Sequence, residues 1–217
     1  MPRQDLLREA FTHRTFAVEH NLPYDNQRLE FLGDAVLENI LSEHIFLLYP
    51  DLPEGDLTKL RSALVCESAL ARLARKIGLG KNLRIGHGET ESGGAFRDST
   101  LADLFEAVLG AIFLGCGFDV CKELLTELYI ETFPDPRQML VEINPKGKLQ
   151  ELSQHYWNRT PEYRVFSHTG PQHDPIYVVE VCMLRWVAQG TGKNRKTAEC
   201  DAAKNLYKYL NKTGIKF

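Results

Sequence analysis

One pair of acidic residues stands inside a strongly apolar stretch near the start of this sequence. Glu30 and Asp34 lie four residues apart within Asn26–Leu48, a stretch whose length and apolar content predict one helix. Their side chains therefore project from the same helical face, about one turn apart. A buried carboxylate without a partner is very costly in free energy, so both acids must be solvated, paired or bound to metal.

A second apolar stretch repeats this pattern. Asp103 and Glu106 lie three residues apart within Leu101–Leu114, so they also share a face of a predicted helix. Two helices that each present a carboxylate pair can form a site with four oxygen ligands for a hard divalent cation, typically Mg²⁺. The pattern therefore predicts a metal site between the two helices.

The alternative for each acid pair is an ordinary solvated surface, since charged residues are rarely buried. The apolar context of both pairs favours the metal site over this alternative. Glu38 continues the face of Glu30 and Asp34 by one further turn, as a third ligand or as the solvated end of the stripe. We expect the latter.

Length and composition are those of an ordinary globular protein. The 217 residues are 43% hydrophobic and 25% charged, which allows one large or two small domains. No run approaches the eighteen apolar residues of a membrane span, and the first residues do not resemble a signal peptide. The five cysteines form no CxxC pair and no zinc spacing, so we expect reduced thiols in a cytosolic protein.

The charge is distributed unevenly along the chain. Residues 1–143 carry 14 Lys and Arg against 23 Asp and Glu, a net charge of −9. Residues 144–217 carry 12 against 6, a net charge of +6. An acidic body with a basic tail is expected if the tail holds a polyanion and the body holds metal, although a chance imbalance is the alternative.

The first 143 residues are predicted to be helical throughout. Glycine and polar residues predict a loop over 81–94, and Asp98 or Ser99 is predicted to cap the helix that follows. The predicted helices are 4–11, 26–48, 54–77 with one break, 101–114 and 119–133.

A domain of different class is predicted from residue 144 onward. Asn144 and Pro145 are typical of a helix start, and the helix that follows places Leu149, Leu152 and Tyr156 on its inner side. The order α-β-β-β-α is predicted from a helix at 146–157, strands at 162–168, 176–183 and 185–189, and a helix at 195–210. The predicted fold class is thus an all-α domain, 1–143, followed by a small α+β domain, 144–217.

Two blocks of this sequence resemble a known enzyme family. RLEFLGDAV at Arg28–Val36 and LADLFEA at Leu101–Ala107 resemble the catalytic domain of bacterial ribonuclease III. Lys146–Leu210 resembles the double-stranded-RNA-binding domain that follows it in that family. The likeness covers nearly the whole chain, and the blocks come in the same order and spacing.

The resemblance implies a metal-dependent endoribonuclease of RNA processing, including rRNA processing, in the cytoplasm. It would hydrolyse double-stranded RNA to 5′-phosphate and 3′-hydroxyl ends with short 3′ overhangs. Its four metal-coordinating carboxylates match Glu30, Asp34, Asp103 and Glu106, of which Asp34 and Glu106 would be catalytic. Mg²⁺ is the implied cofactor, with Mn²⁺ as a possible substitute. The physics agrees, because an anionic phosphodiester needs cations to admit a nucleophile and to stabilise the leaving oxygen.

Two further positions match residues that the family uses, and a third departs from the family's pattern. Glu54 matches an acidic position near the scissile strand, although a solvated turn residue is the alternative. Phe31 matches an aromatic at the homodimer interface, although it could equally be an internal core residue. Gln27 is a possible contact to the scissile strand, but it stands where the family commonly has Glu, and a neutral amide there cannot ligate metal or repel phosphate in the same way. His13 could be functional, but we favour a histidine satisfied by hydrogen bonds at a helix junction.

The tail carries residues that match contacts to A-form RNA, whose minor groove is wide and accessible. Gln150 and Gln154 match minor-groove contacts, and His173 matches a contact in a second minor groove. Cations at a helix N-terminus favour phosphate, although a solvated cap is the alternative. The residues at that helix start are Lys193, Asn194, Arg195 and Lys196.

Three hypotheses account for the whole chain to different degrees. The leading one is the endoribonuclease, with double-stranded RNA and a second copy of the chain as partners and no membrane. The second is a catalytically silent double-stranded-RNA-binding scaffold, for which Gln27 leaves some room. A third, an acidic helical interaction domain without nucleic acid, does not explain the basic tail.

Overall fold

The chain folds into two compact units that divide after Pro136. The structure is a computed structural model and describes residues 4–171 and 173–212. The first unit is helical, and the second combines helices with a three-stranded sheet. The predicted fold class is therefore confirmed.

Two long helices form the centre of the first unit. Gln27–Leu48 (α3) and Asp98–Cys116 (α7) pack directly against each other, because each carries a broad apolar face that must be removed from water. Leu37, Ile40 and Leu104 are almost fully buried there. The helices around them are α1 (Gln4–Ala10), α2 (Arg14–Glu19), α4 (Glu54–Leu64), α5 (Glu67–Lys76), α6 (His87–Glu91) and α8 (Phe118–Thr132).

Most of the predicted helices are confirmed, and two local predictions are wrong. The stretch predicted as a loop over 81–94 contains α6, whose start is held by the Glu19 carboxylate accepting from the His87 N–H at 2.9 Å. Arg97 occupies the N-cap position of α7, whereas Asp98 is its first residue and pairs with Arg75. Both errors arise from contacts with residues distant in sequence, which a local pattern does not contain.

By length and apolar content, α7 resembles a membrane span, and it is the one helix among the described residues that does. It packs against α1, α3, α5 and α8, and half of its apolar window is buried inside the protein. Its apolar character is thus explained by its place in the core of the first unit.

The second unit is a three-stranded antiparallel sheet covered by helices. β1 pairs with β2 and β2 with β3 in sequence order. Its elements are α9 (Arg137–Ile143), α10 (Pro145–Trp157), β1 (Glu162–Thr169), β2 (Ile176–Met183), β3 (Trp186–Gly192) and α11 (Arg195–Lys212). Its core joins α10, β2 and α11 through Leu149, Val181, Met183, Ala202, Leu206 and Leu210.

The start of α10 follows the prediction, and its end does not. The Asn144 Oδ1 accepts from the Gly147 N–H at 3.1 Å, and Pro145 takes the first helical position. The prediction that Tyr156 lies on the inner side of this helix is wrong, because the residue is 41% exposed. α10 ends at the next residue, where Trp157 packs against Trp186 with ring centroids 5.0 Å apart and occupies the inner position instead.

The additional helix α9 groups with the second unit. It packs against α10 and α11, so the structural division falls at 136/137. The boundary between residues 143 and 144 remains a prediction about the domains.

Candidate active site and nucleic-acid interface

Three of the four predicted metal ligands come together where α3 packs on α7. Carboxylate oxygens of Glu30, Asp103 and Glu106 lie within 4.8 Å of one another, and all three side chains are half-buried. Asp34 is exposed and lies outside this trio, one turn further along α3. Its negative charge nevertheless acts on Glu106, so it lies beside the trio. We call Glu30, Asp103 and Glu106 the acidic cluster.

Burial and mutual repulsion disfavour full ionisation of the acidic cluster. Burial, followed by the charges of Asp34, Glu30 and Asp103, raises the pKa of Glu106 to about 8. Burial is also the main cause that raises the pKa values of Glu30 and Asp103. A divalent cation would relieve this repulsion, and hard carboxylate oxygens are the ligands that Mg²⁺ and Mn²⁺ prefer. The donor set therefore fits such an ion.

The raised pKa of Glu106 predicts how the metal-free protein responds to pH. The carboxyl has its ordinary pKa of 4.5 when the chain is unfolded and about 8 when it is folded. Because the folded-state pKa lies above the unfolded value, the protonated Glu106 carboxyl stabilises the folded state. This stabilisation is complete below pH 4.5 and is lost as the pH rises to about 8. We expect the thermal unfolding temperature of the wild type in chelator to fall across this window relative to that of Glu106→Gln.

Thermal unfolding monitored by circular dichroism from pH 5 to 9 checks this expectation, with Glu38→Gln as the control. Glu38 is exposed and outside the acidic cluster, so its variant should follow the wild type. Parallel curves for the wild type and Glu106→Gln would contradict the raised pKa.

The other predicted residues around the active site have diverse surroundings. Glu54 is exposed at the first position of α4, where it accepts from the Thr58 hydroxyl at 2.9 Å. Gln27 is exposed at the first position of α3, and its N–H donates to Asp25 at 3.1 Å. Neither belongs to the acidic cluster, so their roles near a scissile strand stay predictions.

The surroundings of Phe31 and His13 bear on the alternatives stated for each residue, an internal core position for Phe31 and a hydrogen-bonded helix junction for His13. Phe31 is 80% exposed, so its placement in the internal core is wrong. The His13 Nδ1 accepts from the Thr15 N–H and caps α2, as expected of a histidine satisfied at a helix junction.

Sequence reasoning missed Asp25. Its charge contributes to the raised pKa of Glu30, so it lies close to the acidic cluster. An acid just before the start of α3 was the available signal, since such residues commonly bond to the first N–H groups of a helix.

The glutamines and the loop histidine of the second unit are accessible. Gln150 and Gln154 are exposed one turn apart on α10, and His173 is exposed in the loop between β1 and β2. The next residue, Asp174, forms an ion pair with Lys193 just before α11. The ion pair joins the loop to the start of α11, so these two predicted RNA-binding elements lie next to each other.

At the start of α11 the polar residues differ in how far they are already engaged. The Asn194 Oδ1 accepts from the Thr197 N–H at 2.9 Å and caps the helix. The Arg195 Nε donates to Glu199 at 2.8 Å, and the same carboxylate accepts from Lys146 at 2.6 Å. Lys196 is exposed and makes no ion pair within residues 4–171 and 173–212. Of the three cations, Lys196 is thus the one that no carboxylate in the described part of the chain neutralises.

Comparison with known proteins assigns both units. Residues 3–133 match the family model described as ribonuclease-III-like, and residues 145–210 match the double-stranded RNA binding motif. A helical nuclease domain followed by this motif defines an endoribonuclease with a double-stranded-RNA-binding domain. The chain belongs to the ribonuclease III family.

Individual relatives agree over most of the chain. Proteins named Ribonuclease 3 from Natranaerobius thermophilus and Symbiobacterium thermophilum are 43% and 44% identical, covering 95% and 93% of this chain and 90% and 86% of theirs. A solved nuclease domain of ribonuclease III from Campylobacter jejuni is 39% identical with a TM-score of 0.58, covering 62% of this chain and 92% of that one. The similarity therefore spans the acidic cluster and its supporting helices.

Proposed function

We propose that this endoribonuclease uses divalent metal at the acidic cluster to hydrolyse double-stranded RNA. The products would carry 5′-phosphate and 3′-hydroxyl ends with short 3′ overhangs, in cytoplasmic RNA processing that includes rRNA. The observation that carries the proposal is the convergence of three half-buried carboxylates within 4.8 Å between α3 and α7. Mg²⁺ is the proposed ion, with Mn²⁺ as a substitute.

Each acid has a proposed part in this reaction. Glu30, Asp103 and Glu106 would hold the ion, and the exposed Asp34 would complete the ligand set from the solvent side. The ion supplies positive charge that lets a nucleophile approach the anionic phosphodiester and that stabilises the leaving oxygen. The protein's own contribution is a fixed array of carboxylates on two packed helices, which need not reorganise during the reaction.

The second unit would hold the duplex. Gln150, Gln154 and His173 are exposed for minor-groove contacts, which read the shape of A-form RNA. Lys196 would contact phosphate directly, whereas Lys193 and Arg195 would share phosphate with the carboxylates that already hold them. Asn194 would act chiefly by fixing the helix start, because its side-chain oxygen caps α11.

A homodimer through α3 is part of the proposal. Phe31, Ala35 and Phe46 are exposed on one face of α3, and Phe31 and Phe46 are 80% and 64% exposed. Asp34 lies about 60° from Phe31 around the helix axis, so the predicted metal ligands lie beside this exposed face. Because the strands of a duplex are antiparallel, a two-fold axis would present one acidic cluster to each strand. The nuclease domain of ribonuclease III from Campylobacter jejuni likewise has a region involved in dimer formation.

We expect Phe31→Ala to weaken the dimer about tenfold or more, because truncating a central interface aromatic often costs about 2 kcal/mol. Sedimentation velocity over a concentration series measures the shift. Phe96→Ala is the matched control, since Phe96 is 60% exposed in the short 3-10 helix Gly94–Phe96, outside α3. A wild-type protein that is fully active as a monomer at assay concentration would refute the dimer.

The second candidate is a silent RNA-binding scaffold, favoured by Gln27 in place of the family's usual Glu. The two candidates differ in one assay. Incubation of the wild type with a long RNA duplex and Mg²⁺, followed by mapping of the product ends, should give discrete cuts with 5′-phosphates. An intact duplex that remains bound to the protein would favour the scaffold.

A further inference from the structure

A cavity of about 270 Å³ lies in the first unit, where the end of α5 meets α7 and α8. All of its lining residues are apolar except Glu127 and Glu131. Ile77 and Leu124 belong to this lining and are 49% and 48% exposed. The part of the chain that the structure describes thus leaves a concave apolar surface in contact with water. We call this surface the apolar groove.

Two helices line the apolar groove with side chains that recur at helical spacing, i, i+3 or i+4, and i+7. These residues are Phe105, Val108, Leu109 and Ile112 on α7 and Leu124, Leu128 and Glu131 on α8. Each row extends over two turns, which is about 10 Å along the helix axis. A groove between two such rows accepts a third helix whose apolar side chains have the same spacing.

The α8 side of the apolar groove is acidic. Four exposed acids recur at every fourth residue of α8, and they are Asp119, Glu123, Glu127 and Glu131. Glu131 is paired with Lys76, whereas the other three form no ion pair with any residue that the structure describes. Carboxylates along one flank of an apolar groove favour an occupant that carries Lys or Arg on the facing side.

We propose that the apolar groove binds an amphipathic helix of a partner protein, with basic residues along one flank. The basic helix of the chain itself, α11, buries its apolar face in the core of the second unit and is not this occupant. Ile112 comes nine residues after Asp103 and therefore lies half a turn around the axis of α7 from it. The groove thus lies on the opposite side of α7 from the acidic cluster, so a bound partner would recruit the nuclease without blocking it.

The probe is a fluorescein-labelled peptide of about 14 Leu and Lys residues, with Leu at i, i+3, i+4 and i+7 of a helix. Fluorescence anisotropy measures its binding to the full chain at physiological salt, with chelator and without RNA, so the result is independent of the proposed metal function. We expect saturable binding. A peptide with Glu in place of Lys, and one in which Leu and Lys alternate, should each bind at least about tenfold more weakly. Equal binding of either peptide, or no binding of the probe, would overturn the proposal.

Leu124→Ala is expected to weaken binding of the probe about tenfold or more, because it truncates an exposed apolar side chain of the groove. Ile130→Ala is the matched control, since Ile130 is 56% exposed on the same helix but does not line the groove. Ile77→Ala, at the end of α5, should give the same loss as Leu124→Ala and decides the matter if that variant does not fold. Wild-type affinity in Leu124→Ala and Ile77→Ala, or an equal loss in Ile130→Ala, would overturn the proposal.

Glu127→Lys tests the basic flank of the partner. The new lysine would face the lysines of the probe, so we expect its affinity to fall about fivefold or more. Glu162→Lys makes the same change at an exposed residue of β1 and should alter the affinity less than about twofold. Equal losses in both variants would mean diffuse attraction to an acidic protein and would overturn the assignment to the groove. Binding of n-octylamine that Leu124→Ala weakens, without binding of the peptide, would replace the helix by a small amphipathic ligand.

Discussion

Glu106→Gln is expected to reduce cleavage of duplex RNA by at least about 100-fold, since the loss of even an outer-shell partner of a metal site commonly costs about 10–100-fold. Glu106 is the most strongly perturbed member of the acidic cluster, and it faces Asp34, Glu30 and Asp103. Its amide variant keeps the size of the side chain but loses the charge that holds a cation. Asp34→Asn is expected to act in the same direction.

Duplex affinity should stay within about twofold of the wild type in both variants, because binding resides chiefly in the second unit. The measurements are initial cleavage rates at saturating Mg²⁺ and equilibrium binding in chelator. Glu123→Gln is the control, since it removes an exposed acid of α8 outside the acidic cluster. Cleavage by Glu106→Gln at a rate comparable to the wild type would remove the basis of the metal-site proposal.

The fragment 1–136 is expected to cut duplex RNA at low salt with abundant divalent metal and to fail near physiological salt. Residues 1–136 carry 13 Lys and Arg against 22 Asp and Glu, so this unit repels RNA except where metal offsets its charge. Loss of Lys193, Arg195 and Lys196 should lower the slope of log affinity against log salt by up to about three units, at about 0.9 per phosphate contact.

The salt dependence of Lys196→Ala in the full chain should lie between those of the wild-type chain and the fragment. Its slope of log affinity against log salt should be smaller in magnitude than the wild-type slope by about one unit. Affinity over a salt series, measured in the cleavage-silent Glu106→Gln background with chelator, checks both expectations. Lys208→Ala is the control within the same helix, because Lys208 is already paired with Glu142. A fragment that binds as tightly as the whole chain, with the same slope, would show that the second unit does not hold the RNA.

The helices, the sheet and the convergence of acids could be predicted from the sequence because they depend on periodic patterns. The apolar runs around Glu30 and Asp103 require burial against each other, and acids carried on the facing sides must then meet. The helix-start residues Asn144 and Pro145 indicated the beginning of α10 for a local reason. The side chain of Asn144 accepts a hydrogen bond from the N–H of Gly147, only three residues further along the chain.

What could not be predicted depends on which surfaces meet. The helix α6 needs the Glu19 carboxylate, 68 residues away in sequence from His87. Apolar residues occur on several sides of α3, so its sequence does not tell whether Phe31 faces the core or solvent. Gly33 of α3 and Gly110 of α7 each lie against the backbone of the other helix. The sequence does not reveal this contact, because either glycine alone resembles a weak position in a helix.

One carboxylate in the second unit joins the starts of two helices. The side chain of Glu199 is only 12% exposed, and its carboxylate forms ion pairs with Lys146 at the beginning of α10 and with Arg195 at the beginning of α11. These two ion pairs hold the helix that carries Gln150 at a fixed spacing from the helix start that carries Lys196. We expect a fixed spacing of this kind to favour an A-form duplex over B-form DNA whatever the base sequence, because the grooves of the two duplexes differ in width.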